Sequence, residues 1–265
     1  MRGHISYIAL ISEQPDKLAS YYATYFGLKE IGRSSDGDVS LSDGYYNLSI
    51  LKRRAGLGEV NDEVGLHHFG LAIDDIHEIE SRLEDFAPSA DIRGENGDVH
   101  HGDYRLIDTN GLTVSLSTKH FHTPAQPGAF PSIHHLAMKV RDNEETLNFY
   151  HDLIGLAETE VSRKRRAEGA SARFAGDGST AWAIFPETIS EENEGQVNKL
   201  GVNHFGFVVP SVDEMLASLP AEGKTARRPA NRPFAEYRTF DPDGNGIDIS
   251  RQLGYEVDPG VWIRP

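Results

Sequence analysis

The sequence contains no cysteine among its 265 residues. Disulfides, thiolate metal sites and cysteine nucleophiles are therefore excluded. Basic residues are also few, because 26 Lys and Arg stand against 41 Asp and Glu, which gives a formal net charge of −15. A surface this acidic repels a phosphate backbone, so we expect no nucleic-acid partner.

Long apolar runs are missing as well. The longest local run, residues 5–11, is far shorter than the ~20 residues that a membrane helix needs. Residues 1–4 lack the apolar segment and the cleavage site of a signal peptide. We therefore expect a cytoplasmic protein with no membrane partner. The chain does contain 38% hydrophobic residues and 12 histidines, and its length suggests about two domains.

An internal repeat organises the chain. Four short segments of similar apolar pattern each read as the first strand of a unit. Their alignment places four residues at one equivalent position, separated by 61, 67 and 69 residues: Tyr7, His68, His135 and His204. Four units of about 65 residues then account for nearly the whole chain.

Units one and three continue with a helix. The pattern predicts helices over residues 17–26 and 146–154, with Asp16 and Asn143 as N-caps and a glycine after each last turn. Units two and four carry shorter acidic helices, at residues 75–86 and 212–219. Each of these two units ends with a turn and a final strand, in which Ser115 and Asp248 are equivalent positions.

The pattern therefore predicts strand, helix and several strands in each unit, with the units in pairs. We expect a first domain at residues 1–120, a linker at 121–130 that is rich in Pro, Gly and His, and a second domain at 131–265.

Three motifs make the chain similar to the vicinal oxygen chelate superfamily: Phe26-Gly27-Leu28, Ile154-Gly155-Leu156 and Asp241-Pro242-Asp243-Gly244-Asn245. That superfamily includes glyoxalase I, extradiol ring-cleaving dioxygenases, fosfomycin-resistance enzymes, an epimerase and metal-free bleomycin-binding proteins. The resemblance implies an α+β fold of tandem βαβββ modules, in which paired modules form two domains whose mixed sheets curl into cups. It also implies that the first and last strands of a module can offer metal ligands inside the cup.

Carried over to the second half, the resemblance implies a metal site at His135, His204 and Asp248, with an apolar fourth place near Trp182 and Ala183. Two imidazoles and one carboxylate suit Fe(II) or Mn(II) and leave coordination positions open for substrate and O₂. Zn(II) and Ni(II) are the alternatives. The corresponding positions of the first half are Tyr7, Ser49, His68 and Ser115. These side chains form a poor site for a divalent ion, so we expect no metal there.

Strand alternation lets only one histidine of each doublet face a cup. We expect His68 and His135 to face inward, and His67 and His134 to lie outside or behind the ligands. Four other histidines lie in loop-like sequence and are expected to be solvated: His100, His101, His120 and His122. The basic run at residues 163–166 is likewise expected to be a solvated loop.

The chain departs from the ring-cleavage pattern before the last strand. Arg238 stands where the extradiol enzymes have a tyrosine, and Asn231 stands where they have a histidine. Arg238 either clamps an anionic substrate group or pairs with a nearby carboxylate. Tyr237 and Arg238 are the candidates for catalytic substrate contact, and alternation allows only one of them to face the metal.

Three functions remain open at this point. The first is a metal-dependent, dioxygenase-like oxidoreductase that acts on a catechol-like small molecule. The second is a glyoxalase-type lyase or isomerase that acts through an enediolate. The third is a metal-free protein that binds or sequesters a small molecule. We also expect a homo-oligomer.

Overall fold

The structure is a computed structural model that describes residues 3–54, 63–95, 97–98, 100–119, 131–178, 180–189, 200–220, 226–227 and 235–251. The predicted linker at residues 121–130 lies outside these ranges, as do His120, His122, Asn231 and residues 252–265.

The first half forms one eight-stranded mixed sheet with the strand order β2-β3-β4-β1-β5-β8-β7-β6. Strand β1 pairs in parallel with β4 and antiparallel with β5, and β5 pairs in parallel with β8. The elements in chain order are β1 Gly3–Ser12, α1 Pro15–Phe26, β2 Lys29–Arg33, β3 Val39–Ser42, β4 Asn47–Lys52, β5 Gly65–Ile73, α2 Ile76–Phe86, β6 Ile92–Gly94, β7 Tyr104–Ile107 and β8 Thr113–Ser117.

The second half repeats this sheet with the strand order β10-β11-β12-β9-β13-β16-β15-β14. Its elements are β9 Ser132–Val140, α3 Asn143–Ile154, β10 Ala157–Glu158, α4 Glu160–Ala167, β11 Arg173–Gly176, β12 Ala181–Pro186, β13 Gly201–Val208, α5 Val212–Ser218, β14 Ala226–Arg227, β15 Tyr237–Phe240 and β16 Gly246–Ser250. The α+β fold of paired βαβββ modules is confirmed. No helix within the described ranges is long and apolar enough to cross a membrane.

The ends of the helices follow local chemistry. Helices α1 and α3 both end at a glycine in the left-handed region, with φ of 69° at Gly27 and 80° at Gly155, where other residues are strained. Their predicted N-caps are wrong by one or two residues. The caps are Gln14, which precedes a proline at the first helical position, and Asp142, which accepts from two backbone N–H groups.

The basic run at residues 163–166 is part of a helix and not of a loop, although three of its four side chains are exposed as expected. Thr159 caps helix α4 by accepting from the backbone N–H of Ser162. Arg166 pairs with Glu144 and Glu158 at 3.2 and 3.6 Å, and Arg165 lies over the ring of Phe174. Acidic and aromatic neighbours on other elements therefore hold the helix in place.

One apolar core is shared by the two halves. Phe26 of α1 lies 4.3 Å from Phe207 of β13 between ring centroids, and Phe69 of β5 lies 5.2 Å from Trp182 of β12. Each sheet thus turns one face to the shared core, and we call the opposite face its cup face. Two separate small clusters occupy the cup faces: Tyr7, Ala9, Ile11 and Leu51 in the first half, and Ala137, Phe174, Ala181, Ala183 and Phe185 in the second.

Reciprocal hydrogen bonds also join the halves. Asp177 accepts from the backbone N–H of Ile5 at 2.8 Å, and Asp43 accepts from the backbone N–H of Ile133 at 2.7 Å. Each aspartate follows the third strand of its half and bonds the first strand of the other half. The two halves are therefore arranged with approximate twofold symmetry.

Candidate metal centre

Three strands in the middle of the second sheet bring the candidate ligands together. Gly206 of β13 pairs in register with both His135 of β9 and Asp248 of β16. His204 lies two residues before Gly206 on the same strand, and therefore on the same face. All three candidate ligands are almost completely buried. The sheet register, and not a local motif, thus assembles the group on the cup face.

Gly206 makes room for the imidazole of His135. A Cβ at Gly206 would lie 2.1 Å from Cε1 of His135 and 2.5 Å from Nδ1. No side chain fits at such distances without moving the ring. Sequence reasoning missed Gly206, although the repeated triplets His68-Phe69-Gly70 and His204-Phe205-Gly206 were a signal for it.

The distances between ligand atoms suit one metal ion. Nε2 of His204 lies 3.3 Å from Oδ2 of Asp248, and Nε2 of His135 lies 3.7 Å from the same oxygen. The three ligand atoms all lie within 4.8 Å of one another. Metal bonds of about 2.1 Å at nearly right angles separate neighbouring donors by about 3 Å. The donor set therefore fits a divalent cation.

The protonation states of His204 and Asp248 also suit a cation. Burial, followed by the positive charge of Arg238, lowers the pKa of His204 to about 3, so its imidazole is neutral. Its Nδ1 lies 2.8 Å from the amide oxygen of Asn203, which only accepts, so Nε2 keeps its lone pair for the centre. Burial by itself raises the pKa of Asp248, but the positive charge of Arg238 holds it well below its usual value.

Arg238 faces this centre and is fully buried. It pairs in register with Asp248, and its Nε and Nη2 donate to the two carboxylate oxygens at 2.6 and 2.9 Å. Of the two roles expected for Arg238, the ion pair with a carboxylate is present. Tyr237 pairs with Ile249 and packs against the shared core. The structure contradicts its expected substrate contact, because alternation turns it to the opposite face of the sheet.

An apolar wall stands beside the ligands. Ala181 of β12 pairs in register with His135, and Phe185 lies 6.2 Å from His204 between ring centroids. Phe174 packs edge-on against Phe185 and carries Arg165 of α4 on its face. The fourth place is Ala183, which pairs with Ala137 as Ser49 pairs with Ala9, and it is apolar. Trp182 points to the shared core, where its indole N–H donates to Asp177.

The equivalent positions of the first half form a network of neutral groups. The hydroxyl of Tyr7 lies 3.2 Å from Nε2 of His68, and Ser49 lies 3.2 Å from Ser40. Ser115 pairs with Gly70 as Asp248 pairs with Gly206, and it offers a hydroxyl in place of the carboxylate. Burial, as the largest cause, lowers the pKa of His68 well below its usual value. In the described part of this half, no three His, Asp or Glu side chains converge as in the second half.

Of two further histidines, one lies in an environment that differs from the expectation. His100 is buried rather than solvated, since its Nδ1 lies 2.7 Å from Ser40 Oγ on the cup face of the first sheet. Asp98 holds that loop by accepting from the backbone N–H groups of His100 and His101. His134 is buried on the face opposite His135, which is the second of the two places expected for it.

A family model of the Glyoxalase/Bleomycin resistance protein/Dioxygenase superfamily matches residues 132–249, which contain the three candidate ligands. The match bears out the resemblance to the vicinal oxygen chelate superfamily for the second half of the chain. No curated protein sequence matches this chain significantly.

Solved structures extend the likeness over both halves. The Mn(II)-bound glyoxalase from Novosphingobium aromaticivorans shares 16% identity and a TM-score of 0.70, over 98% of this chain and 85% of its own. An extradiol ring-cleaving dioxygenase from B. fuscum shares 16% identity and a TM-score of 0.67, over 99% of this chain and 75% of its own. A homoprotocatechuate 2,3-dioxygenase variant from B. fuscum, in complex with HPCA, is 16% identical and superposes with a TM-score of 0.66, over 96% of this chain and 72% of its own. At this identity the likeness shows the fold alone and no particular activity.

Proposed function

We propose that this protein is a metal-dependent enzyme in which His135, His204 and Asp248 hold one Fe(II) or Mn(II) ion. Its substrate is a small molecule with two adjacent oxygens, such as a catechol, and its reaction resembles extradiol ring cleavage. The observation that carries the proposal is the convergence of three buried ligand atoms within 4.8 Å from three separate strands. A buried group of two imidazoles and one carboxylate is the donor set of non-haem Fe(II) oxygenases.

The bound ion supplies Lewis-acid polarisation of two adjacent substrate oxygens. The residues of the chain orient the ligands and exclude water. The sheet register directs His135 and Asp248 to one point, and Asn203 orients the ring of His204. Phe174 and Phe185 form an apolar wall against which the carbon skeleton of a planar substrate would pack. Arg238 keeps Asp248 ionised.

A glyoxalase-type lyase or isomerase is the second candidate, favoured by one observation. The described cup face of the second half carries no histidine besides the two candidate ligands, and Arg238 occupies the position of the expected tyrosine. Proton transfer in ring cleavage would then need another group. The metal-free binding protein is less favoured, because Asp248 faces the two histidines rather than pointing away.

Metal content is the direct test of the site. The wild type, His204→Ala and the matched control His68→Ala, which removes the equivalent histidine of the first half, are purified identically without chelator and analysed by elemental mass spectrometry. We expect about one ion per chain in the wild type and in His68→Ala, and much less in His204→Ala. Equal content in the wild type and His204→Ala would make the metal-free binding protein the leading reading.

Oxygen uptake separates the two enzyme classes. We expect the Fe(II)- or Mn(II)-loaded protein to consume O₂ with at least one member of a panel of catechols. Metal loading without O₂ uptake on any of them would favour the lyase or isomerase.

A further inference from the structure

The Arg238–Asp248 pair changes the charge of the proposed centre. Both carboxylate oxygens accept from the guanidinium, at 2.6 and 2.9 Å, and the arginine side chain is 1% exposed. A guanidinium keeps its positive charge at every pH that the protein tolerates. The carboxylate that would hold the ion is therefore already neutralised by a neighbour within the protein.

The net charge at the metal follows from this pairing. Two neutral imidazoles and one carboxylate contribute a single negative charge, so such a ligand set lowers a divalent ion to a net charge of about +1. Here Arg238 cancels that negative charge, and the ion with its surroundings keeps a net charge of about +2. Burial removes most of the screening by water and salt. Lys139, on the same face of β9 and donating to the carbonyl of Ile189, adds a second cation to this face.

We propose that Arg238 is a specificity-determining residue that makes the centre prefer a substrate whose two adjacent oxygens together carry two negative charges. A fully deprotonated catechol belongs to this class, as does a 1,2-dicarboxylate such as oxalate. A ligand of the same shape with one charge binds more weakly. This inference rests on the proposed metal site.

The first half offers a matched arginine. Arg105 of β7 pairs in register with Ser115, as Arg238 pairs with Asp248. Its guanidinium binds Glu95 at 2.7 Å and is partly exposed. Arg105→Gln thus removes the equivalent arginine without changing the second sheet.

Oxalate and oxamate test the charge preference, because both present two adjacent oxygens and differ by one negative charge. Their dissociation constants are measured by calorimetry on the Mn(II)-loaded wild type, Arg238→Gln, Arg238→Lys and Arg105→Gln. We expect the oxamate-to-oxalate ratio of dissociation constants to fall about tenfold in Arg238→Gln. It should stay near the wild-type value in Arg105→Gln and in the charge-conserving Arg238→Lys.

An unchanged ratio in Arg238→Gln would overturn the inference, and so would a collapse of the ratio in Arg238→Lys. Mn(II) affinity is a second readout, because loss of a neighbouring positive charge should make Arg238→Gln bind Mn(II) more tightly. Loss of Mn(II) from folded Arg238→Gln would also overturn the inference, since Arg238 would then act only by holding Asp248 in place. If Arg238→Gln does not fold, the ratio in Arg238→Lys decides. A wild type that binds no Mn(II) would instead contradict the proposed function itself.

Discussion

The hydroxyl of Tyr22 donates to Oδ2 of Asp241 at 2.7 Å and so joins the first helix to the turn before the last strand. The symmetric contact has Tyr150 donating to Asp108 at 2.9 Å. Burial, as the largest cause, raises the pKa of both aspartates, and the tyrosine hydroxyls oppose that rise. Each contact therefore stabilises an ionised carboxylate that is shielded from water.

The first prediction concerns pH. A carboxyl group with a raised pKa in the folded state destabilises the fold as the pH rises from its unfolded pKa through its folded pKa. The hydroxyl offsets part of this cost only where the carboxylate is ionised. We expect Tyr22→Phe to lower the free energy of unfolding by about 1–2 kcal/mol at pH 8, and by less at pH 4. Urea unfolding at both pH values checks this, with Tyr150→Phe as the symmetric case. An equal loss at both values would contradict it.

The second prediction concerns the glycine under His135. We expect Gly206→Ala to displace the imidazole and to weaken Mn(II) binding about tenfold or more, because the ligand no longer points at the centre. Overpacking should also cost about 1–3 kcal/mol of stability. The measurement is Mn(II) titration beside thermal unfolding.

Gly70→Ala is the matched control, since a Cβ there would lie 1.9 Å from the ring of Tyr7 in the first half. It should lose stability and keep Mn(II) affinity. A Gly206→Ala protein with wild-type affinity would show that the ring tolerates the shift.

The third prediction concerns the buried ion pair. Asp248→Asn leaves Arg238 buried without its counter-charge, and we expect a loss of about 3–5 kcal/mol in the free energy of unfolding. Removing both charges in Asp248→Asn/Arg238→Gln should restore much of that loss, because no uncompensated charge remains. Chemical unfolding of the metal-free proteins measures both. A double variant less stable than Asp248→Asn would argue against the electrostatic explanation.

The fourth prediction concerns the shared core. Because Phe26 and Phe207 pack across the two halves, we expect the whole chain to unfold in one transition. Phe26→Ala should lower its stability by about 3–5 kcal/mol without dividing that transition. Calorimetry and far-UV circular dichroism measure both effects. Two separate transitions in the wild type would show that the halves are independent.

The sequence alone predicted most of the module pattern, because the repeat spacing and the glycines that end α1 and α3 are local signals. The resemblance to the vicinal oxygen chelate superfamily pointed to His135, His204 and Asp248 as candidate ligands, because it implies ligands on the first and last strands of a module. Sequence reasoning failed at the ends of helices, where Pro15 and Asp142 moved the N-termini, and at residues 163–166. Those outcomes depend on capping and on partners distant in the sequence.

The tertiary structure decided the features that depend on strand pairing. The register between β9 and β13 shifts twice, between Val202 and His204 and between Gly206 and Phe207. No local sequence pattern predicts such shifts. Only the paired strands showed that Gly206 accommodates His135, that Arg238 neutralises Asp248, and that Tyr237 faces the core. The sequence by itself determined which side chains were available at each module position, because residue type and alternation are local properties. Which of them touch was decided by register and by packing between the halves, because those contacts join residues that the chain keeps far apart.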